Sequence, residues 1–143
     1  MNGFLLDTCV ISELVKPAPD ARVVHWVDAN PEVSLFLSVL TLGEIRQGVA
    51  RLAAGKRRMR LDRWLGEDLP ARFEDRILPV TAAVADCWGA LSAQAAAKGK
   101  PVPVIDGLLA ATALCHDLIL VTRNTQDVAA TGVAVLNPWS VDD

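Results

Sequence analysis

Four acidic residues stand where the sequence predicts that strands end or helices begin: Asp7, Glu44, Asp106 and Asp127. Asp7 directly follows Phe4–Leu6, an apolar run without alternation, which predicts a strand buried on both faces. Open α/β sheets hold their ligands at the carboxyl ends of such strands. Asp7 is therefore the first candidate for chemistry, and the other three acids are candidates to join it.

The predicted topology brings three of these acids to one edge. Glu44 lies in the first turn of the helix that Thr41 is predicted to begin, and Asp127 follows the fourth predicted strand. Parallel sheets place the carboxyl ends of all strands at one edge, so we expect Asp7, Glu44 and Asp127 to be neighbours. Asp106, in the first turn of a helix rich in small residues, joins them only if that helix starts at the same edge.

Each acid also has an explanation that involves no chemistry. Glu44 fits a capping box with Thr41, and Asp106 would favour the positive end of its own helix. Asp127 suits a turn cap, and Asp7 suits the N-cap of the helix that follows it. Four such acids on one edge are harder to explain as caps, because clustered unpaired carboxylates repel one another and need a cation. Oxygen-only ligands suit Mg²⁺ or Mn²⁺.

A divalent cation held by carboxylates indicates phosphoryl chemistry. Such an ion lowers the pKa of a water molecule and stabilises the leaving oxygen of a phosphodiester, so no serine or cysteine nucleophile is required. An aspartyl phosphatase fits less well, because it needs a second acid two residues on, where Cys9 stands. A phospho-receiver domain needs an acidic pair ahead of Asp7, which the sequence lacks. Neither GxxxxGKS/T nor GxGxxG occurs, which argues against nucleotide binding by either loop.

Composition places the chain among folded cytoplasmic proteins. Its 143 residues predict one domain, 1–143, and a hydrophobic content of 52% excludes disorder. No apolar run approaches the ~18 residues of a membrane span, and the start of the chain has neither a basic n-region nor a cleavage site. We therefore expect no membrane partner and no export. Three cysteines without CxxC spacing argue against a disulfide framework or a zinc site.

The charge of the chain is concentrated locally. A net charge of −3 gives no general sign of nucleic-acid binding, which usually leaves a basic footprint. Nevertheless, Lys56, Arg57, Arg58 and Arg60 form a dense basic cluster. This cluster is either a solvated helix face or a contact surface, and the sequence favours neither.

Strand and helix patterns alternate along the chain, which predicts an α/β fold with a parallel sheet covered on both faces. The predicted strands are residues 4–6, 33–39, 77–80, 118–121 and 133–136. Helices are predicted between them, among them one begun by Thr41, one over 59–69 that Pro70 ends, one from Thr81 to about Lys98, and one over 104–116.

The order of the acid-bearing motifs resembles that of a known family. The segments FLLDTCVISEL, SVLTLGEIRQGVARL, DGLLAATA and LVTRN resemble those of PIN-domain ribonucleases. With NPW at 137–139, the chain is most similar to the VapC/FitB-type toxins of bacterial type II toxin–antitoxin pairs. The resemblance runs from Phe4 to Trp139. It implies a PIN-like α/β fold with about five parallel strands, a homodimer, and cleavage of single-stranded RNA with Mg²⁺ or Mn²⁺.

The resemblance also assigns roles to the acids. Asp7 and Asp106 match the primary metal ligands of the family, and Glu44 would hold the metal or orient the attacking water. The last motif of the family often places acids near positions 124 and 127. Here Asn124 takes the first of these positions. Asp127 is therefore favoured as the fourth acid, with Asn124 as a neutral polar partner.

Candidate RNA-contacting residues come from the same motifs. Thr122 matches the family's hydroxyl at the end of the fourth strand, and Thr8 follows Asp7 in the first motif. Arg123 is a candidate for touching phosphate, although a solvated arginine explains it equally well. Asn124 completes this set.

The resemblance further implies a cognate antitoxin of the VapB/FitA type, whose C-terminal segment lies in a groove and blocks the acids. The amphipathic helices around 44–52 and 59–69 are candidate walls of that groove. Two other functions remain open. A PIN-like binding module would hold its partner with little catalysis, and a housekeeping RNA-processing nuclease would have no antitoxin gene beside its own. The RNA target, whether tRNA, rRNA or mRNA, is open as well.

Overall fold

Five short parallel strands form one sheet in the computed structural model, which describes residues 3–140. In chain order the strands are β1 (Phe4–Leu6), β2 (Leu35–Ser38), β3 (Ile77–Leu78), β4 (Ile119–Val121) and β5 (Val135–Leu136). The α-helices of the same part of the chain are α1 (Thr8–Leu14), α2 (Ala21–Ala29), α3 (Val39–Ala50), α4 (Lys56–Arg63), α5 (Leu69–Phe73), α6 (Ala82–Ala97) and α7 (Val104–Cys115). The predicted α/β class and its all-parallel sheet are confirmed.

The sheet order β3-β2-β1-β4-β5 puts the first strand at the centre. Phe4 is paired with Leu35 of β2 on one side and with Ile119 of β4 on the other. The chain therefore builds the sheet first to one side of β1 and later to the other. Open α/β sheets place their ligand sites at such a switch point, and Asp7 is the residue that follows β1 there.

Hydrophobic clusters cover both faces of the sheet, which explains why β1 is apolar throughout. Leu6 belongs to the cluster that includes Phe73, and both side chains are fully buried. Leu5 belongs to a second cluster, with Leu109 of α7 and Leu120 of β4. Burying a leucine side chain contributes about 1.5–3 kcal/mol to stability, so β1 is held in place from both sides.

The helix after β2 begins earlier than predicted. Its N-cap is Ser38, whose hydroxyl accepts the N–H of Leu40, so α3 starts at Val39 and β2 is shorter than the predicted strand 33–39. The capping box of Thr41 with Glu44 is wrong for the same reason. Thr41 lies inside the helix, fully buried, and Glu44 lies in the second turn. Serine is among the best N-cap residues, and Ser38 comes first.

The helix predicted to end at Pro70 continues past it. A π-helical turn over Trp64–Asp68 links α4 to α5, and the N–H of Leu69 donates to the carbonyl of Trp64. Pro70 lies in the first turn of α5. Proline is tolerated there because its missing N–H has no partner to lose. The π-helical turn therefore joins α4 to α5 at the place where the helix was predicted to end.

Two further properties concern the described residues as a whole. None of the helices within 3–140 has the length and apolar character needed to cross a membrane. Cys9, Cys87 and Cys115 are free thiols.

Candidate active site

Asp7 lies at the end of the central strand and caps the first helix. Its N–H donates to the carbonyl of Val121 over 2.9 Å, which extends the pairing of β1 with β4. Its Oδ1 accepts the N–H of Thr8 at 2.7 Å, and its Oδ2 accepts the hydroxyl of Thr122 at 2.7 Å. The residue is 6% exposed. The donors of both carboxylate oxygens are neutral, so the negative charge of Asp7 is not compensated by a direct partner.

Thr122 is oriented by its own neighbours. It directly follows β4 and is buried, and its Oγ1 accepts the N–H of Asn124 at 3.0 Å. Because that lone pair is occupied, the hydroxyl proton points to Asp7. Thr122, predicted as an RNA contact, is thus seen in the structure as a support for the carboxylate.

Thr8 connects Asp7 to the second acid. Its N–H donates to Asp7, and its hydroxyl donates to Oε1 of Glu44 at 2.5 Å. Glu44 is half-buried and comes from α3, the helix after the neighbouring strand. The first residue of α1 therefore links two carboxylates that lie 36 positions apart in the sequence. Thr8, too, was predicted as an RNA contact, and its polar groups face the acids.

Asp106 joins the other acids, which the sequence alone left open. It lies in the first turn of α7 and is half-buried. Burial, followed by the negative charges of Asp7, Asp127 and Glu44, raises its pKa to about 6. These charges act on Asp106 only because the N-terminus of α7 lies at the same edge as the strand ends. The four acids therefore lie at one edge of the sheet, within electrostatic reach of Asp106.

A close helix contact positions Asp106. Gly107, the next residue, packs so tightly on Trp88 of α6 that an added Cβ would lie 3.0 Å from the indole Cδ1. The Nε1 of Trp88 is buried and has no hydrogen-bond partner among the described residues. The missing side chain of Gly107 lets α7 approach α6, and this approach sets the position of the carboxylate beside it.

Asp127 and Asn124 occupy the far side of the site. Asp127 lies in the 3₁₀ turn Thr125–Thr131 and is exposed, and its charge reaches Asp106. Asn124 is exposed as well, and the contacts seen for it come from its backbone, to Thr122 and from the N–H of Asp127. The electrostatic contact favours Asp127 as the fourth acid. The side-chain role of Asn124 stays a prediction.

Arg123 is held by an aromatic ring. Its guanidinium lies 4.1 Å from the centroid of Trp139, which is buried, while Arg123 itself is exposed. Its positive charge also helps to lower the pKa of Glu13 and of Asp20. The arginine is therefore not a freely solvated side chain, and its role at phosphate stays a prediction.

Cys9 is a residue of the site that the sequence did not assign. Its Sγ lies 3.7 Å from Oδ2 of Asp7 and 3.8 Å from Oγ1 of Thr122. Burial, followed by the charge of Asp7, raises its pKa to about 11, so it stays a neutral thiol at physiological pH. Its spacing of two residues from Asp7 in the first turn of α1 was the only sequence signal of this contact.

The donor set fits a hard divalent cation. The salt bridges found within residues 3–140 all join other residues, so no lysine or arginine neutralises Asp7, Glu44, Asp106 or Asp127 by direct pairing. In the same residues no three His, Cys, Asp or Glu side chains are grouped closely enough to enclose a metal ion. Mg²⁺ commonly uses one or two carboxylates, with waters and substrate phosphates as its other ligands. The arrangement therefore suits an open cation site rather than a closed one.

Comparisons with known proteins agree with this geometry. The model of the PIN domain family matches residues 4–132. The chain is 43% identical to the VapC ribonuclease Y4jK of Sinorhizobium fredii, over 94% of this chain and 96% of that protein. It is 42% identical to the toxin FitB of Neisseria gonorrhoeae, over 94% and 97% of the two chains. A solved structure of FitAB bound to an IR36 DNA fragment superposes with a TM-score of 0.92 and 38% identity, covering 98% of each chain.

Proposed function

The chain belongs to the PIN domain family, among the VapC and FitB toxins, and we propose that it is a divalent-metal-dependent endoribonuclease whose residues 1–143 form one domain. The observation that carries this proposal is the grouping of Asp7, Glu44 and Asp127 around Asp106, whose pKa their charges raise. A hydrolytic nuclease is supported by relatives named as ribonucleases and endonucleases. Mg²⁺ or Mn²⁺ as the cofactor is supported by the oxygen-only donor set.

Asp7 and Asp106 are the residues that would hold the cation, with Glu44 as a further ligand or as the group that orients the attacking water. When bound, the ion would lower the pKa of water and stabilise the leaving oxygen of the phosphodiester. Thr122 and Thr8 fix the carboxylates of Asp7 and Glu44 through their hydroxyl groups. Both threonines therefore act as positioning residues in this proposal.

The remaining predicted residues would act on the substrate side. Asp127 is exposed beside Asp106 and completes the acidic edge. Arg123 and Asn124 are exposed next to it and are available to single-stranded RNA. One relative, 29% identical, is named a tRNA(fMet)-specific endonuclease, from Shigella flexneri. Single-stranded segments of tRNA, rRNA or mRNA are the substrate class we propose.

The proposed cellular role is that of a toxin in a type II toxin–antitoxin pair. The partner would be an antitoxin of the VapB/FitA type, and this is supported by the structure of FitAcB from N. gonorrhoeae, with its TM-score of 0.92. A DNA-bound VapBC complex from Salmonella typhimurium gives a TM-score of 0.77 at 26% identity. We propose that the chain works as a homodimer in such a complex.

Cleavage of a single-stranded RNA by the purified chain tests the proposal. The parent should cut with Mg²⁺ or Mn²⁺ and stop cutting in EDTA. Asp7→Asn should fold, because the amide oxygen still accepts hydrogen bonds, and should lose most of the activity with its charge. Asp86→Asn, at an exposed position of α6, is the matched control and should cut like the parent. Equal activity in Asp7→Asn and the parent would show that the proposed site is wrong.

A binding module with little catalysis is the second candidate. The observation in its favour is that the described residues contain no ready group of three metal ligands. Expression of the chain without its partner discriminates the two functions. Growth arrest that disappears in Asp7→Asn supports the nuclease, whereas tight partner binding without arrest supports the module.

A further inference from the structure

A groove leads away from the acids between α1, α3 and α4. Its first part is a cavity of about 240 Å³ that begins at Thr8 and Glu44 and reaches Arg57, Leu61 and Trp64. A second cavity, of about 540 Å³, shares the last two of these residues. Val15 also lines both cavities, and the remaining residues of the second come mainly from α4: Lys56, Met59, Arg60, Arg63 and Asp68. The two neighbouring cavities are here called the α4 groove, and the first of them begins at the acidic edge.

The α4 groove carries positive charge that the protein itself does not neutralise. Within residues 3–140, no acidic side chain forms an ion pair with Lys56, Arg57 or Arg60. Other arginines of this part of the chain are paired, such as Arg46 with Asp62. Three unneutralised cations on one short helix are notable in a chain whose net charge is −3. They make this surface attractive to a polyanion.

Trp64 gives the groove an aromatic wall. It lines both cavities and is half-buried, with part of its indole packed against the main hydrophobic cluster. It is also the first residue of the π-helical turn, a feature that is frequent at functional sites. Grooves that bind single-stranded nucleic acid combine basic side chains with aromatic rings on which bases stack. The α4 groove has both.

The acids make such a surface necessary for a nuclease of this kind. Asp7, Glu44, Asp106 and Asp127 bring four carboxylates to the point where a phosphodiester would have to lie. This charge repels RNA, so favourable binding energy must come from cations outside the acid cluster. The α4 groove supplies them, and it is continuous with Glu44.

We propose that the α4 groove binds the RNA strand where it leaves the acids, with phosphates at Lys56, Arg57 and Arg60 and a base stacked on Trp64. This inference rests on the proposed nuclease function. The antitoxin segment that is expected to block the acids, between residues 44–52 and 59–69, would enter this same groove, so the RNA strand and the antitoxin would compete for it.

Binding of a fluorescently labelled single-stranded RNA decamer, followed by anisotropy over a range of salt concentrations, tests the groove. All chains carry Asp7→Asn so that the RNA stays intact. Arg57→Gln and Arg60→Gln should each weaken binding and reduce the slope of log affinity against log salt by about 0.7, the value for one phosphate of a single strand. Lys98→Gln, an exposed cation at the end of α6, is the matched control and should change neither.

Substitutions of Trp64 test whether a base stacks on its indole, by RNA affinity and by tryptophan fluorescence. Trp64→Leu should weaken binding by about 5- to 100-fold without changing the salt slope, and Trp64→Phe should restore most of the loss. The parent's tryptophan fluorescence should be quenched by RNA, and this quenching should shrink in Trp64→Phe. Urea unfolding of each variant separates loss of binding from loss of fold.

Three results would contradict the proposal that the α4 groove binds RNA. Unchanged affinity and slope in both arginine variants would show that RNA runs elsewhere, while the nuclease proposal stands. Equal binding of an oligoglutamate of the same charge, with the same response to Trp64→Leu, would assign the groove to an acidic protein segment. Absence of both cleavage and binding of single-stranded RNA by the parent would refute the groove and the proposed function together.

Discussion

Replacing Asp106 by asparagine should stabilise the protein when divalent cations are removed. Burial and the charges of Asp7, Asp127 and Glu44 raise the pKa of Asp106 from 3.8 to about 6. At 1.36 kcal/mol for each pH unit, this difference corresponds to about 3 kcal/mol when the group is fully ionised. The carboxyl is partly exposed and mobile ions screen its neighbours, so we expect about 1–2 kcal/mol in solution.

The sign of the pH dependence follows from the direction of the pKa change. The folded protein holds the Asp106 proton more tightly than the unfolded chain does. The stability due to this proton is therefore fully present below about pH 4 and is lost as the pH rises through about 6. Asp106→Asn lacks the titrating group, so its advantage over the parent should be near zero at pH 4 and should level off above pH 7.

Urea unfolding in EDTA measures this advantage directly, at several pH values from about 4.5 to about 8. Adding Mg²⁺ at pH 8 should then stabilise the parent by binding to the folded state and should stabilise Asp106→Asn much less. Asp86→Asn serves as the control for loss of an exposed carboxylate. A variant that is no more stable than the parent at pH 8, or an advantage that does not change with pH, would refute the electrostatic reasoning.

Two further substitutions test how the site is positioned. Thr122→Val keeps the shape of the side chain but removes the hydroxyl that donates to Asp7, so metal affinity or RNA cleavage should fall by about 10- to 100-fold in titrations with Mg²⁺. The free energy of unfolding should also fall, by about 1–3 kcal/mol, because the buried carboxylate of Asp7 and the N–H of Asn124 lose this partner. Gly107→Ala should lower the free energy of unfolding by up to about 2 kcal/mol. The added methyl group would be overpacked against Trp88, which costs about 1–3 kcal/mol, whereas the higher helix propensity of alanine returns only about 1 kcal/mol. Gly89→Ala, whose Cβ would meet no atom within 4 Å, should instead raise it by up to about 1 kcal/mol in the same urea experiment.

Local sequence patterns predicted strand β1, which Asp7 follows, because a strand buried on both faces consists of apolar residues only. They also predicted the helix capped by Thr81, since this cap acts within a few residues. The start of α3 was missed because two hydroxyl residues competed for the N-cap, and Ser38 lies nearer the strand than Thr41. Boundaries set by local hydrogen bonds are thus predictable to within a few residues.

The candidate site was harder to predict because its geometry depends on distant contacts. The placement of Asp106 at the shared edge depends on how α7 packs, including the close contact of Gly107 with Trp88, and not on a side-chain cap within its own segment. The support that the hydroxyl groups give to the acids was not predicted, for a similar reason. Thr122 meets Asp7 only after β1 and β4 have paired, and nothing in either segment specifies that partner.

The aromatic wall formed by Trp64 could not be foreseen from composition. Aromatic residues make up 5% of the chain, which by itself gave no sign of a stacking surface. Trp64 is a single half-buried indole at a helix junction, next to the cations of α4. The π turn that begins at Trp64 includes a hydrogen bond from Leu69 to Trp64 that no short sequence pattern predicts.

The hydrogen bond from Thr122 to Asp7 has a consequence for how the protein is made. These residues are separated by 115 positions, so the ribosome produces the first long before the second. Until β4 emerges, the central strand lacks a neighbour on that side and the carboxylate lacks its second donor. A nascent chain that ends before β4 therefore has no complete acidic edge, so the proposed activity would begin only when most of the chain has been made.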